Sequence, residues 1–294
     1  MTTPIDRVRS LSFWRAPVTP VPLGGGITNV NFTVEHAGEK FVVRVGDDIP
    51  VHQVMRFNER AASEAAFRAG ISPEVVHAEP GILVIRFIAG RTFTAADVRE
   101  PGNLPRVVEL IRRVHREMPL EVRGPALVFW VFHVLRDYGH TLREGGSRHL
   151  QRLPELLQTA AQLEQDVGPV SIVYGHNDLL PANILDDGTR LWLIDWDYAG
   201  FNSPLFDLAN LASNNELTAD QEEEMLAAYL GRVPDARLRR SYSAMKCASL
   251  LRETMWSMVS EIHSRLEFDY KAYTSDYLGR LQRSLALHNA LPLA

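Results

Sequence analysis

The sequence predicts an α+β fold, with a small β-rich N-terminal lobe and a larger, mostly helical C-terminal lobe. Three observations carry this. Between Leu23 and Ile88, short runs rich in Val, Ile and Phe alternate with glycine turns, a strand texture. From Leu104 onward, apolar residues recur at helical spacing. One β interruption, at 172–195, breaks the helical part and holds the densest polar cluster of the chain. A length of 294 residues suits two such lobes, read as 1–89 and 90–294.

The elements follow in order. Thr3-Pro4 ahead of Ile5, Val8 and Leu11 predicts a short helix, with Thr3 as cap and Pro4 in the first turn. Prolines keep residues 17–22 extended. Leu23-Gly-Gly-Gly26 is a glycine turn. Val30–Glu35 and Phe41–Val45 read as a hairpin around Ala37-Gly38. Val51–Ala69 reads as a helix stopped by Gly70. Val75–Ala78 and Ile82–Ile88 form a second strand pair around Pro80-Gly81. Pro105 opens a helix whose apolar positions are Leu104, Val107, Val108, Ile111 and Val114. Val128–Arg143, Leu153–Gln165 and Thr218–Leu230 are further helices, and Thr218 with Gln221 fits a capping box. One continuous helical stretch runs from Asp235 to about Leu287. Ile172–Tyr174 is a strand, and Ile184-Leu185 with Leu191–Asp195 form a hairpin about Asp187-Gly188.

Composition excludes several classes. Apolar residues are 46% and charged residues 23%, an ordinary mix that supports a core. A net charge of −5 lacks the basic excess that duplex nucleic acid or anionic membrane rewards. The single cysteine, Cys247, can form no intrachain disulfide and no Cys-based zinc site. No signal-like apolar segment opens the chain, and no run approaches the ~20 apolar residues of a membrane span. The expectation is a cytoplasmic protein with no nucleic-acid partner and no membrane span.

The polar cluster reads Tyr174-Gly-His-Asn-Asp-Leu-Leu-Pro-Ala-Asn183, then Leu191-Trp-Leu-Ile-Asp-Trp-Asp-Tyr198. Asp178 and Asn183 lie on a loop entering a strand, and Asp195 ends the next strand. Both ends of the hairpin therefore face one place. Asn and Asp oxygens suit Mg²⁺, which takes one or two carboxylates plus substrate phosphates. A nearby carboxylate can orient the proton of an attacking hydroxyl. Together with a cation on the phosphates, this is the minimum kit for phosphoryl transfer. Singly, each Asp or Asn also reads as an ordinary turn residue. His-x-Asp-x₄-Asn followed by Ile-Asp is far more specific than any of its members.

His176-Asn-Asp178-Leu-Leu-Pro-Ala-Asn183 with Ile194-Asp195 resembles the signature of the aminoglycoside-phosphotransferase and choline-kinase group of the protein-kinase-like superfamily. Ile194-Asp-Trp-Asp-Tyr-Ala-Gly-Phe-Asn with Phe206-Asp-Leu-Ala-Asn210 is similar to the choline/ethanolamine kinase branch. The resemblance implies a kinase-like two-lobe fold using ATP and Mg²⁺. It implies Asp178 as catalytic base, Asn183 and Asp195 as metal holders, His176 as a shaper of the loop and Asp207 as its brace. Gly24-Gly-Gly-Ile-Thr-Asn-Val-Asn-Phe32 resembles the family's phosphate turn, with Thr28 and Asn29 at the nucleotide. Where protein kinases carry a strand lysine, this chain has Arg44, as choline kinases do. An always-charged guanidinium can serve phosphates bidentately. Glu59 is its expected helix partner, with Glu64 second. Phe87 and Ile88 belong to the expected hinge at the adenine.

The acceptor must be read elsewhere. Aromatic faces plus a carboxylate hold an ammonium. Trp256 and Tyr270 match aromatic pocket positions of the choline-kinase family, and Trp196, Tyr198 and Asp197 complete the expected acceptor set. At helical spacing, such aromatics are also ordinary core residues. The sequence departs from the family at Glu253, where a second tryptophan is common. A carboxylate there favours a smaller or primary amine, or else points to solvent. The expected activity is phosphorylation of choline, ethanolamine or a related amino alcohol. The alternatives are another acceptor on the same fold (an aminoglycoside, thiamine or a sugar) and a non-catalytic nucleotide-binding protein.

Overall fold

The computed structural model describes residues 3–24, 29–264 and 266–292. Helix α1 (Pro4–Arg9) starts at Thr3, whose hydroxyl accepts from the Asp6 N–H. Strands β1 (Val21–Leu23), β2 (Val30–His36), β3 (Glu39–Val45), β4 (Val75–Glu79) and β5 (Ile82–Arg86) form an antiparallel sheet in the order β1-β2-β3-β5-β4. The β2–β3 register pairs Asn31 with Arg44, and β3–β5 pairs Arg44 with Leu83. Period-two alternation sends Phe32, Val34, Phe41, Val43 and Val45 into a small core. Helix α1 covers that core with Val8, and Leu11 and Trp14 follow it in.

The expected helix from Val51 begins later. Residues 50–52 make one tight turn that ends at Gln53 in the left-handed region, φ 60°. Helix α2 then runs Arg56–Arg68. Its buried face, Ala62, Ala65 and Ala66, joins the large core of the C-terminal lobe, not the small core under the sheet. This helix ties the lobes together, because alanines let it approach α4 (Leu104–Glu121) closely.

Short β6 (Arg91–Thr92) and α3 (Ala95–Arg99), neither expected, lead into α4. Helices α5 (Val131–Glu144) and α6 (Leu153–Val167) follow. Strand β7 (Val173–Gly175) pairs with β10 (Gly200–Asn202), and β8 (Ile184–Asp186) pairs with β9 (Leu191–Leu193) and β6. Helix α7 (Pro204–Asn215), capped by Ser203, precedes α8 (Ala219–Leu230), which carries the expected Thr218 and Gln221 capping box.

The continuous C-terminal helix is instead two helices, α9 (Ala236–His263) and α10 (Tyr270–Asn289). The break comes where Asp269 caps α10 by accepting from the Ala272 N–H at 2.9 Å. Helix α10 folds back along α9. Helix α9 is buried nearly all round from Tyr242 to Ser260, so it forms the axis of the lobe.

Gly200 sits where β10 meets the 127–129 segment. A Cβ there would lie 2.8 Å from the Leu127 carbonyl oxygen and 3.3 Å from its carbon. Both are backbone atoms that cannot yield cheaply. Gly200→Ala is expected to cost about 1–3 kcal/mol, read by chemical unfolding. A neutral result would contradict this packing.

Candidate active site

The loop between β7 and β8 is held from behind by Asp207 of α7. The Asp207 carboxylate accepts the backbone N–H groups of His176 at 2.9 Å and Asn177 at 2.7 Å. His115 Nε2 lies 2.9 Å from the same carboxylate, and its Nδ1 lies 2.8 Å from the Tyr229 hydroxyl. Burial alone would push the Asp207 carboxyl up. The hydrogen bonds and His115 outweigh it and hold the group below the usual range.

Asn177 takes a left-handed conformation, φ 65°, which turns the chain sharply. Its amide donates to the Tyr198 carbonyl at 2.9 Å, and its oxygen accepts from Asn202 at 3.0 Å. Asn210 accepts the Leu179 N–H at 2.5 Å. The His176 ring lies 2.9 Å from the Ile194 carbonyl through Nε2, and Nδ1 accepts the Asp178 N–H at 3.3 Å. Burial lowers its pKa. A neutral ring with both nitrogens engaged is a brace, with no proton to shuttle.

Asp178 lies half-buried on this loop. Burial pushes its carboxyl well above the usual range. Arg252 opposes that push, while Glu253, Asp195 and Asp197 add to it. Asn183 donates its amide to the Asp178 carbonyl at 2.9 Å. The Ile194 N–H donates to the Asn183 carbonyl at 3.0 Å, which brings Asn183 and Asp195 to the same end of the β8–β9 hairpin. Asp195 itself has φ 68°, a left-handed turn directly after that strand pair.

Arg44 of β3 reaches across to this end. Its Nε is 2.9 Å from Glu59 of α2, and its Nη2 is 2.7 Å from Asp195 and 3.1 Å from Asp197. Arg56 adds a second guanidinium, 2.7 Å from Glu59 and 2.8 Å from Asp197. Arg44 is 8% exposed and Glu59 3%. Burial disfavours the Arg44 charge, but Asp195, Glu59 and Asp197 outweigh it and raise its pKa. Burial raises Glu59 against the pull of Arg44 and Arg56. Glu59, not Glu64, meets Arg44. Glu64 pairs with Arg60 on the surface.

Other expected residues fall in different places. Asn29 donates to Asp197 at 3.3 Å. Thr28 lies outside the described residues. Phe87 and Ile88 directly follow β5. The Phe87 N–H donates to the Lys40 carbonyl at 3.0 Å, and the Lys40 ammonium sits 4.3 Å over the Phe87 ring. Trp196 is expected at the acceptor but is 1% exposed. Its N–H donates to Ser72 at 2.9 Å and its ring packs on His176. It packs behind the loop that carries Asp178. Asp197 is likewise expected at the acceptor. Its carboxylate instead bridges Arg44 and Arg56, whose charges already match it.

Tyr198, Trp256 and Tyr270 do come together. Trp256 donates its N–H to the Tyr198 hydroxyl at 3.1 Å, and its ring centroid is 6.0 Å from that of Tyr270. Trp256 and Tyr270 line a cavity of 480 Å³ with His52, Asp47, Asp48 and Asn29. A second cavity, of 710 Å³, opens beside Arg44, Arg56 and Glu59, at the end of β3 and β5 away from Phe87. Glu253 is 5% exposed, so it does not point to solvent.

Sequence reading missed Arg56, Arg252 and His52. Arg252-Glu253 was a visible signal, two adjacent charges in an apolar stretch of helix. His52 is buried against Trp256 and Ser260, its pKa driven down to about 3 by burial, Arg252 and His263. No motif marks it.

The family model for choline/ethanolamine kinase matches residues 21–230. The chain belongs to the choline/ethanolamine kinase family. Members of this family are phosphotransferases with alcohol acceptors. The chain is 29% identical over 281 residues to the protein LicA of Haemophilus influenzae, covering 91% of this chain and 79% of that one. It is similar in structure to a choline/ethanolamine kinase family protein from Mesorhizobium loti, with a TM-score of 0.75, 27% identity, and coverage of 93% and 90%. It shares its fold with a LicA solved in complex with AMP, with a TM-score of 0.75, 20% identity, and coverage of 97% of each chain. The two-lobe architecture is thus the protein-kinase-like fold of the choline/ethanolamine kinases.

Asp207→Ala removes the acceptor for two loop N–H groups and strands His115. It is expected to destabilise the chain by about 3–5 kcal/mol, with the wild-type advantage fading as pH falls through the depressed Asp207 pKa. Urea unfolding at pH 7 and at low pH measures both. Equal stability of variant and wild type at pH 7 would contradict the role.

Proposed function

We propose that this protein transfers the γ-phosphoryl group of ATP, with Mg²⁺, to the hydroxyl of choline, ethanolamine or a related amino alcohol. The observation that carries this reading is one end of the β8–β9 hairpin, where Asp178, Asn183 and Asp195 converge on the cleft that Arg44 spans. Family membership and the AMP complex of a protein of the same fold support nucleotide use.

The donor set fits magnesium. The Asn183 oxygen and the Asp195 carboxylate are hard ligands, few in number, as suits an ion that keeps waters and phosphate oxygens. When bound there, magnesium supplies neutralisation of phosphate charge. Asp178 takes the proton of the acceptor hydroxyl as its oxygen forms a bond to the γ-phosphorus. The bond between that phosphorus and the β-phosphate bridging oxygen breaks, and ADP leaves. Arg44 offers a fixed positive charge to the nucleotide phosphates, held in place by Glu59. Asn29 serves the phosphates from the other lobe, and Phe87 and Ile88 meet the adenine. Trp256 and Tyr270 present faces to the acceptor ammonium through the 480 Å³ cavity. Tyr198 holds Trp256 in place by accepting its N–H at 3.1 Å. Catalysis rests on positioning and charge, with no covalent enzyme intermediate.

Asp178→Asn is expected to lower kcat by about 10²–10⁴-fold while ATP affinity is retained. ADP release over a panel of choline, ethanolamine, thiamine and aminoglycosides, with calorimetry for ATP, reads both. Turnover of no alcohol by the wild type, or an active variant, would refute the reading. The base works only when ionised, and burial raises its pKa. The acid limb of kcat/KM is therefore expected well above the ~3.9 of an ordinary aspartate. A profile flat down to pH 4 would contradict it.

A further inference from the structure

The tight turn at residues 50–52, ahead of α2, sends one side chain across to the C-terminal lobe. That side chain is His52, 6% exposed. Its Nδ1 lies 3.3 Å from the Tyr138 hydroxyl of α5, and its Nε2 lies 3.0 Å from the Ser260 hydroxyl of α9. A hydroxyl can donate or accept, so both nitrogens of a neutral imidazole are satisfied whichever of them carries the proton. Burial, with Arg252 and His263 nearby, keeps the ring neutral. Bonds to two different helices fix its plane. The next residue, Gln53, donates to Asp137 of α5 at 3.1 Å and ties down the same turn.

The His52 ring rests on Trp256. Their centroids are 5.3 Å apart and their planes 34° apart. Tyr270 and Tyr273 meet the same indole edge-on, each at 6.0 Å. The Trp256 N–H donates to the Tyr198 hydroxyl at 3.1 Å, and the Tyr198 ring is in turn covered by the buried Arg252 guanidinium, 4.2 Å from its centroid. One hydrogen bond at the edge of an indole fixes a point and leaves the ring free to tilt about it. The ring against its face removes that freedom. Tilt matters here, because an aromatic ring attracts a cation through its face and not its edge. His52 and Trp256 line the same 480 Å³ cavity.

We propose that His52 is a positioning residue of the acceptor cavity: pinned between α5 and α9, its ring sets the tilt of Trp256 and so the face that an acceptor ammonium meets. This rests on the amino-alcohol kinase reading and deepens it. The role is separable from a general stiffening of the chain. Helix α2, which follows His52, carries Glu59 to Arg44 on the nucleotide side. Loosening the turn as a whole would therefore weaken ATP as well, whereas a changed Trp256 tilt weakens the acceptor alone.

The test is steady-state kinetics of the full chain with Mg-ATP and choline or ethanolamine, for His52→Ala, His52→Gln and His52→Phe. His52→Ala is expected to raise the acceptor KM about fivefold or more, the worth of one well-presented aromatic face, with KM for ATP kept within about twofold. His52→Gln retains a polar group for the two hydroxyls but no ring, and shows the same rise. His52→Phe restores a ring against Trp256 without the hydrogen bonds, and recovers part of the loss. If His52→Ala does not fold, the other two variants carry the comparison. An acceptor KM left within about twofold by His52→Gln, or acceptor and ATP KM rising together, overturns the proposal. Turnover of no alcohol by the wild type would instead fail the kinase reading itself. Calorimetric titration of choline and ethanolamine into wild type and His52→Gln then still decides the role of His52: weaker binding to the variant supports it, and equal binding or none overturns it.

Discussion

Arg44 sets one guanidinium against three carboxylates, one from α2 and two from the segment after β9. Arg56 repeats part of the same arrangement from α2 itself. Two cations and three anions are thus taken out of water together. Each is tolerable only because the others are there, since breaking a buried pair leaves an uncompensated charge. The β2–β3–β5 register that places Arg44 opposite Asn31 and Leu83 matters for this reason. A slip of one residue would turn the guanidinium to the other face of the sheet. The left-handed backbone at Asp195 has the same logic, because it aims the carboxylate back at the sheet.

Beneath this network, the loop between β7 and β8 has almost no regular structure and needs fixing by side chains. Asp207 and Asn210 of α7 accept N–H groups of the loop, while the loop's own Asn177 and His176 reach the carbonyls of Tyr198 and Ile194 in the segment after β9. Trp196 fills the space behind His176. Asp178 therefore rides on a rigid support, while its own surroundings are acidic and half-buried. That combination raises its basicity and keeps it in place, as the role proposed for it, orienting a hydroxyl, requires.

The placement of the loop that carries Asp178 was legible in the sequence because it depends on local spacing. Asp178, Asn183 and Asp195 lie within one strand–turn–strand unit, so a motif can carry them. Glu59 was legible for the same reason, one helix face opposite one strand. Trp196 and Asp197 stand elsewhere than expected, because the chain turns at Asp195 (φ 68°) and again at 197–198, so spacing along it does not fix where a side chain goes. Trp196 turns into the core, and Asp197 turns to the arginines. The break at Ser264–Asp269 was hidden because apolar spacing continues on both sides of it. Arg252 was hidden for a deeper reason. A charge inside an apolar helix can be paired in the core or exposed on the far side, and only the position of Tyr198 decides between them.

The role proposed for Arg44 is to organise the nucleotide side of the cleft by spanning Glu59 and Asp195 at once. Lysine keeps the charge at that position but lacks the planar fork that meets two carboxylates in fixed directions. Calorimetric titration of ATP and Mg²⁺ into Arg44→Lys, beside its thermal unfolding, tests this most directly. The account predicts a folded protein whose ATP affinity falls tenfold or more. An Arg44→Lys variant that is folded and binds ATP as tightly as the wild type would contradict it.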